Sequence, residues 1–201
     1  MIAPPWGMSS AERLGRTPGY RGRVIGPGTL EWQPAAKHPE LVAAPVAAAV
    51  AAGAPELLVA PIDAELADTA AFCEAYGVGL AQSANCVVVE GRRGDATTRA
   101  AVMVLATHRA DVNKVVRKHL DVRKISFAPM ETATSETGME YGGITPVGLP
   151  GDWPILVDQA VVDAGVVVIG AGIRGAKIAV EGAALASLPG AVVLELAQPV
   201  G

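Results

Sequence analysis

The apolar residues of this chain arrive in short runs of Val, Ala and Leu, and each run is cut off by Gly, Pro, Asp or Arg before it grows long. No run approaches the roughly 18 to 20 continuous apolar residues that a membrane span requires. The same punctuation implies many short elements around a shared interior. With 201 residues, about half of them apolar, there is material for one well-buried domain and too little for two.

Residues 1–27 are rich in Pro, Gly and Arg and have no apolar periodicity, so they read as a flexible N-terminal extension, with Met8 as an alternative start to Met1. The opening residues lack a basic stretch followed by an apolar core, so no secretory signal is expected and the cytoplasm is the default location. The domain is expected over 28–201. Within it, 39–52 reads as a helix closed by Gly53, and 68–76 as a helix stopped by Gly77. A short strand at 57–60 lies between them.

The β-branched runs 85–90 and 99–106, joined by Gly91-Arg92-Arg93-Gly94-Asp95, predict a hairpin. Asp111 is a good N-cap for a helix over 112–120, with Val112, Val115, Val116 and His119/Leu120 on one face. Strands are expected at 125–128, 154–157, 166–169, 177–180 and 192–196, with helices ending at Gly138 and over 183–188. Hairpin and crossover connections together define a mixed α/β class, a curved mixed sheet or partial barrel surrounded by helices. The strands at 85, 99, 155 and 166 are expected in one sheet.

Cys73 and Cys86 have no neighbouring metal-ligand partner and read as ordinary thiols in a reducing compartment. His38, His108 and His119 are scattered, so neither a metal nor any other cofactor is expected. The formal charge of −4 argues against binding nucleic acid over the whole surface. Its distribution is uneven, however. Arg109, Lys114, Arg117, Lys118, Arg123 and Lys124 stand against Asp111 and Asp121, a local net of +4 that leaves −8 elsewhere. Such a patch suits one phosphate-backbone contact through Lys114, Arg117 and Lys118, and equally suits a solvated helix face.

Two glycine motifs carry possible chemistry. Gly170-Ala171-Gly172-Ile173-Arg174-Gly175 is a literal GxGxxG after an apolar strand, with Glu195 near the spacing of a ribose-binding acid. It raises a dinucleotide-dependent oxidoreductase as a remote alternative. The stretch after Gly175 reads as strand rather than helix, and only six residues follow Glu195, which weighs against it. The second motif, Gly142-Gly143-Ile144-Thr145-Pro146, cannot be helix. Its glycines permit positive φ and can expose consecutive N–H groups to a carbonyl or phosphate oxygen. An ordinary tight turn has the same composition.

The order of these features, from the strand pair through Asp111-Val112-Asn113-Lys114 and the Gly142–Gly148 loop to Ile155-Leu156-Val157-Asp158 and Ile169-Gly170-Ala171-Gly172, resembles the YbaK-like aminoacyl-tRNA deacylase domain over roughly 46–196. That family includes free-standing proteins and the editing insertion of bacterial prolyl-tRNA synthetases. The resemblance implies hydrolysis of a small amino acid ester on the 3′ adenosine of a mischarged tRNA, with the acceptor end as partner. It further implies that the amides of Gly142, Gly143 and Ile144 polarise the ester carbonyl, that Thr145, Pro146, Gly170 and Gly172 line the substrate pocket, and that Asp158 holds a water, the amino group or the 2′-hydroxyl. The family places a functional lysine at the start of the first hairpin strand. Here that position is Asn85, which can donate a hydrogen bond but carries no charge. A catalytically silent tRNA- or nucleotide-binding relative is therefore the second reading. Whether the domain acts alone or as a homodimer is left open by the sequence.

Overall fold

The computed structural model describes residues 25–200. The choice between Met1 and Met8 and most of the expected extension lie outside the described residues. In chain order the regular elements are β1 (Gln33–Pro34), α1 (Ala44–Ala51), β2 (Leu58–Pro61), α2 (Thr69–Tyr76), β3 (Ala84–Arg93), β4 (Ala96–Leu105) and β5 (His108–Ala110). A π-helical turn Val112–Val116 then runs into α3 (Arg117–His119), followed by β6 (Lys124–Phe127), α4 (Met130–Thr137), β7 (Ile155–Asp158) and α5 (Gln159–Asp163). The chain closes with β8 (Val166–Gly170), β9 (Ala176–Glu181), α6 (Gly182–Leu185), β10 (Ala191–Leu194) and β11 (Ala197–Pro199). The class is mixed α/β, as expected. Among the described residues, no helix is long and apolar enough to cross a membrane.

Local chemistry explains the boundaries. Gly77 and Gly138 take φ +66 directly after α2 and α4, the left-handed conformation that ends a helix most easily at glycine. The expected helix over 39–52 is shorter than its composition suggests. A 3₁₀ turn over Pro39–Leu41 is followed by extended Val42 and Ala43, and Pro45 then sits in the first turn of α1, where its missing N–H is harmless. The hairpin is longer than expected. Arg93 pairs with Ala96, so the turn shrinks to Gly94 and Asp95, with Gly94 at φ +61, the first central position that such turns reserve for glycine.

Five strands form one sheet in the order β10-β7-β4-β3-β6, parallel at β10/β7/β4 and antiparallel at β4/β3/β6. Four others form a second, antiparallel sheet in the order β1-β2-β9-β8, and β11 pairs with β5. This corrects the expectation of a single curved sheet. The strand at Val166 joins β9 through the tight glycine-rich turn, and among the described residues its ladder link to the hairpin is a single bridge, from Ser83 just before β3 to Val168. Beyond that bridge the two sheets separate.

The central strands are buried on both faces with a period of two. Met103, Leu105, Ile155 and Val157 enter the main core with Val46, Ile169 and Ile178. Ala100, Val102 and Leu156 enter a second cluster with Val89, Val112, Val116 and Leu196. Val112 and Val116 therefore fasten the basic helical segment to the sheet, while Lys114, Arg117 and Lys118 are exposed.

Candidate functional site

Where the two sheets separate, a cavity of about 430 Å³ opens. One wall is Asn85, Cys86, Val87 and Val88 of β3, and the other is Val168, Ile169 and Gly170 of β8 with Lys177 of β9. Ala67, Asp68 and Thr69 line it at the start of α2, and Tyr141, Gly142 and Ile144 line it from the loop. Its size is in the range of sites that hold a small organic ligand.

The loop is fastened to the β8–β9 turn. Glu140 N–H donates to Gly172 O at 2.8 Å, and Gly172 N–H donates to Gly143 O at 2.7 Å. Gly143 N–H donates to Glu140 O at 2.9 Å, closing a turn. That bond corrects one expectation: the Gly143 amide is already engaged, and Gly143 does not line the cavity. Gly142 and Ile144 do line it, and among the described residues neither N–H has a hydrogen-bond partner. Gly142 takes φ +83, which only glycine adopts without strain.

Other expected site residues fall elsewhere. Thr145 is fully buried behind the loop with its Oγ1 unpartnered, and Pro146 lines a separate cavity with Ala49, Leu149 and Leu188. Gly170 lies in the wall, whereas Gly172 packs on Ala43, where an added β-carbon would collide. Asp158 is the largest correction. It is buried at the end of β7 and does not line the cavity. One carboxylate oxygen caps α5 by accepting from Ala160 N–H at 3.1 Å, and the other accepts from Leu196 and Ala197 N–H, both at 2.9 Å. The carboxylate anchors the C-terminal segment, and its oxygens are occupied by the protein itself.

The GxGxxG motif is the connection of an antiparallel hairpin, with Gly170 opposite Lys177, and it presents no helix N-terminus. The dinucleotide alternative loses its structural basis there.

Asn85 Oδ1 accepts from Thr69 Oγ1 at 2.8 Å, which leaves the carboxamide NH₂ as the donor at that point of the wall. Burial pushes the Cys86 thiol up to about 12, so it stays protonated and is no nucleophile at neutral pH. Asp68 stands at the rim, 3.5 Å from Arg174. Lys177, which sequence reasoning did not single out, is buried, and its Nζ donates to Ala67 O at 2.8 Å. The sequence carries a signal for it, since Lys177 lies among the apolar residues Ala176, Ile178, Ala179 and Val180, but Glu181 shares its strand face and the same pattern suits an exposed lysine.

A second, wider groove of about 860 Å³ shares Asn85, Val87 and Phe127 with the cavity. It runs past His108 and Arg109 to Asp111 and Asn113, at the foot of the basic helical segment. The structure therefore brings the cavity and the start of that segment onto one continuous surface.

The family model described as an aminoacyl-tRNA editing domain matches residues 63–188, more than half of the chain. A candidate trans-editing enzyme for prolyl tRNA synthetase shares the fold with a TM-score of 0.61 at 23% identity, over 71% of this chain and 87% of that one. A hypothetical protein, APE2540, does so with a TM-score of 0.60 at 22% identity, over 71% and 90%. No curated protein matches the sequence.

Proposed function

The chain belongs to the aminoacyl-tRNA editing domain family, and from that premise we propose that it is a trans-editing hydrolase that releases a small amino acid from the 3′-terminal adenosine of mischarged tRNA. The observation that carries this reading is the cavity between the sheets, with Gly142 and Ile144 on its wall and their N–H groups unpartnered. An ester carbonyl placed against these amides is polarised by donors that are fixed before the reaction begins, and each such donor contributes about 100 to 1,000-fold in rate. The reading takes water as the nucleophile, and burial keeps Cys86 a thiol rather than a competing thiolate. Asp68, the carboxylate on the cavity rim, suits the substrate's α-ammonium.

The groove beyond Phe127 gives the acceptor strand a path toward Lys114 and Lys118. Phe127 is 65% exposed at the junction of cavity and groove and offers a face on which a terminal base can stack.

Asn85 favours a second reading, a relative that binds tRNA without turning it over, because an uncharged amide faces the cavity there. Release of free amino acid separates the two. Wild-type protein incubated with Ala-tRNA(Pro), Cys-tRNA(Pro) and Ser-tRNA(Thr) should deacylate at least one well above the spontaneous rate. Binding without release on all three would favour the silent reading.

A further inference from the structure

Among the cavity-lining residues, Lys177 is the only cation. It is 8% exposed, its Nζ lies 5.1 Å over the Phe72 ring and donates to Ala67 O, and among the described residues it forms no ion pair with a carboxylate. One carbonyl uses one of three ammonium donors. Taking an ammonium out of water without a counter-ion is strongly unfavourable, and every other residue from Ala176 to Val180 is apolar. An anionic oxygen arriving in the cavity would complete this half-satisfied cation.

We propose that Lys177 supplies the cation that stabilises the oxyanion of the hydrolytic intermediate, from the wall opposite Asn85. The inference rests on the editing reading. Water forms a bond to the ester carbon, and the carbonyl π electrons move onto oxygen, next to the ammonium and the loop amides. Collapse then breaks the bond to the ribose 3′-oxygen, which takes the proton given up by the attacking water as the free amino acid departs. Lys177 stays protonated throughout. Its surroundings set a limit on this: burial is the main influence that lowers the ammonium to about 8, Arg174 lowers it too, and Cys73 and Asp68 act in the other direction. Catalysis corrected for spontaneous hydrolysis should therefore decline as pH rises through about 8.

The test compares wild type, Lys177→Met and Lys177→Arg in two measurements, with thermal melts to establish that each is folded. In the first, kcat and KM are measured on the mischarged tRNA that wild type hydrolyses. Lys177→Met should lose about 100-fold or more in kcat with little change in KM, should lose the alkaline decline, and should be partly rescued in Lys177→Arg. In the second, calorimetry compares the 1-aminoethylphosphonate monoester of adenosine, a mimic of the oxyanion, with the 3′-alanylamido analogue, which has the same amino group but an uncharged carbonyl. Wild type should prefer the phosphonate, and Lys177→Met should lose that preference by about tenfold or more.

Should Lys177→Met be folded and hydrolyse within about threefold of wild type, the role is overturned and the lysine is structural. Should wild type hydrolyse none of the three tRNAs, the editing reading falls. The phosphonate comparison then decides for Lys177 alone: a lysine-dependent preference supports an oxyanion site, and equal affinities overturn it. If Lys177→Met does not fold, Lys177→Arg decides: because a guanidinium stays charged across this range, a retained phosphonate preference with hydrolysis that no longer declines through pH 8 supports the role, and loss of the preference or an unchanged decline in a folded variant overturns it.

Discussion

The carbonyl oxygen of Gly143 occupies the space where Gly170 would carry a β-carbon, so the loop and the end of β8 pack at a distance that only glycine allows. Gly175 of the same GxGxxG motif has nothing within 4 Å of such an atom. The two glycines should thus respond differently. Gly170→Ala should destabilise by about 1 to 3 kcal/mol through overpacking, and should displace Gly142 and Ile144 enough to lower deacylation by roughly 100-fold. Gly175→Ala should stay within about 0.5 kcal/mol of wild type. Urea titrations paired with deacylation rates check both, and equal effects of the two substitutions would contradict this packing.

Asp158 should behave as a structural residue. Asp158→Ala leaves the N–H groups of Ala160, Leu196 and Ala197 without their acceptor and should cost about 2 to 4 kcal/mol. Below its lowered melting point, the rate per folded molecule should stay within about twofold of wild type, because a group remote from the reacting atoms changes stability rather than the barrier. A large loss of kcat in a folded Asp158→Ala protein would return the carboxylate to the site.

Elements set by local chemistry were legible in the sequence: the glycine stops at Gly77 and Gly138, the hairpin around Gly94, and the Asp111 cap, whose carboxylate accepts from Lys114 N–H at 3.0 Å. What depended on distant partners was not. Nothing near Val166 reveals that β8 pairs with β9 rather than with the hairpin, yet that choice creates the cavity. Asp158 follows an apolar strand in the same way whether it faces a cleft or caps a helix, and only the arrival of Leu196 and Ala197 decides between them. Gly142 and Gly143 look interchangeable as letters. A single turn bond to Glu140 separates their amides.

Two buried groups should leave opposite marks on stability at alkaline pH. Lys177 is lowered in the folded protein from 10.5 to about 8, so between those values the unfolded chain binds more protons and stability rises with pH. Cys86 is raised from 9.0 to about 12, so the unfolded chain loses its proton first and stability falls above about 9. The Lys177 contribution is isolated by subtraction. The unfolding free energy of wild type minus that of Lys177→Met should increase by roughly 2 to 3 kcal/mol between pH 7 and 10. A pH-independent difference would mean that the ammonium is not desolvated as its burial implies.

The basic helical segment supplies the last prediction, and the structure divides its cations. Arg117 is committed to the protein, with Nε donating to Asn113 O at 2.8 Å and a guanidinium NH₂ group to Arg123 O at 3.4 Å. Lys114 and Lys118 are exposed and form no ion pair among the described residues, so they are the groups free to meet phosphates. The double variant Lys114→Glu/Lys118→Glu should bind tRNA more weakly at low salt, and its log–log salt dependence should be shallower by roughly 1.4 to 1.8, one increment for each lost phosphate contact. Turnover of a short aminoacyl-adenosine ester should be unchanged within about twofold, because that ligand occupies the cavity without reaching a helix that responds only to the backbone charge. Arg117→Glu should instead lower the melting temperature by loosening the turn at Arg123. Filter binding across a salt series, with the ester assay run on the same preparations, separates these outcomes. An unchanged slope in the double variant would leave both lysines as solvated surface and move the tRNA path to another face of the groove.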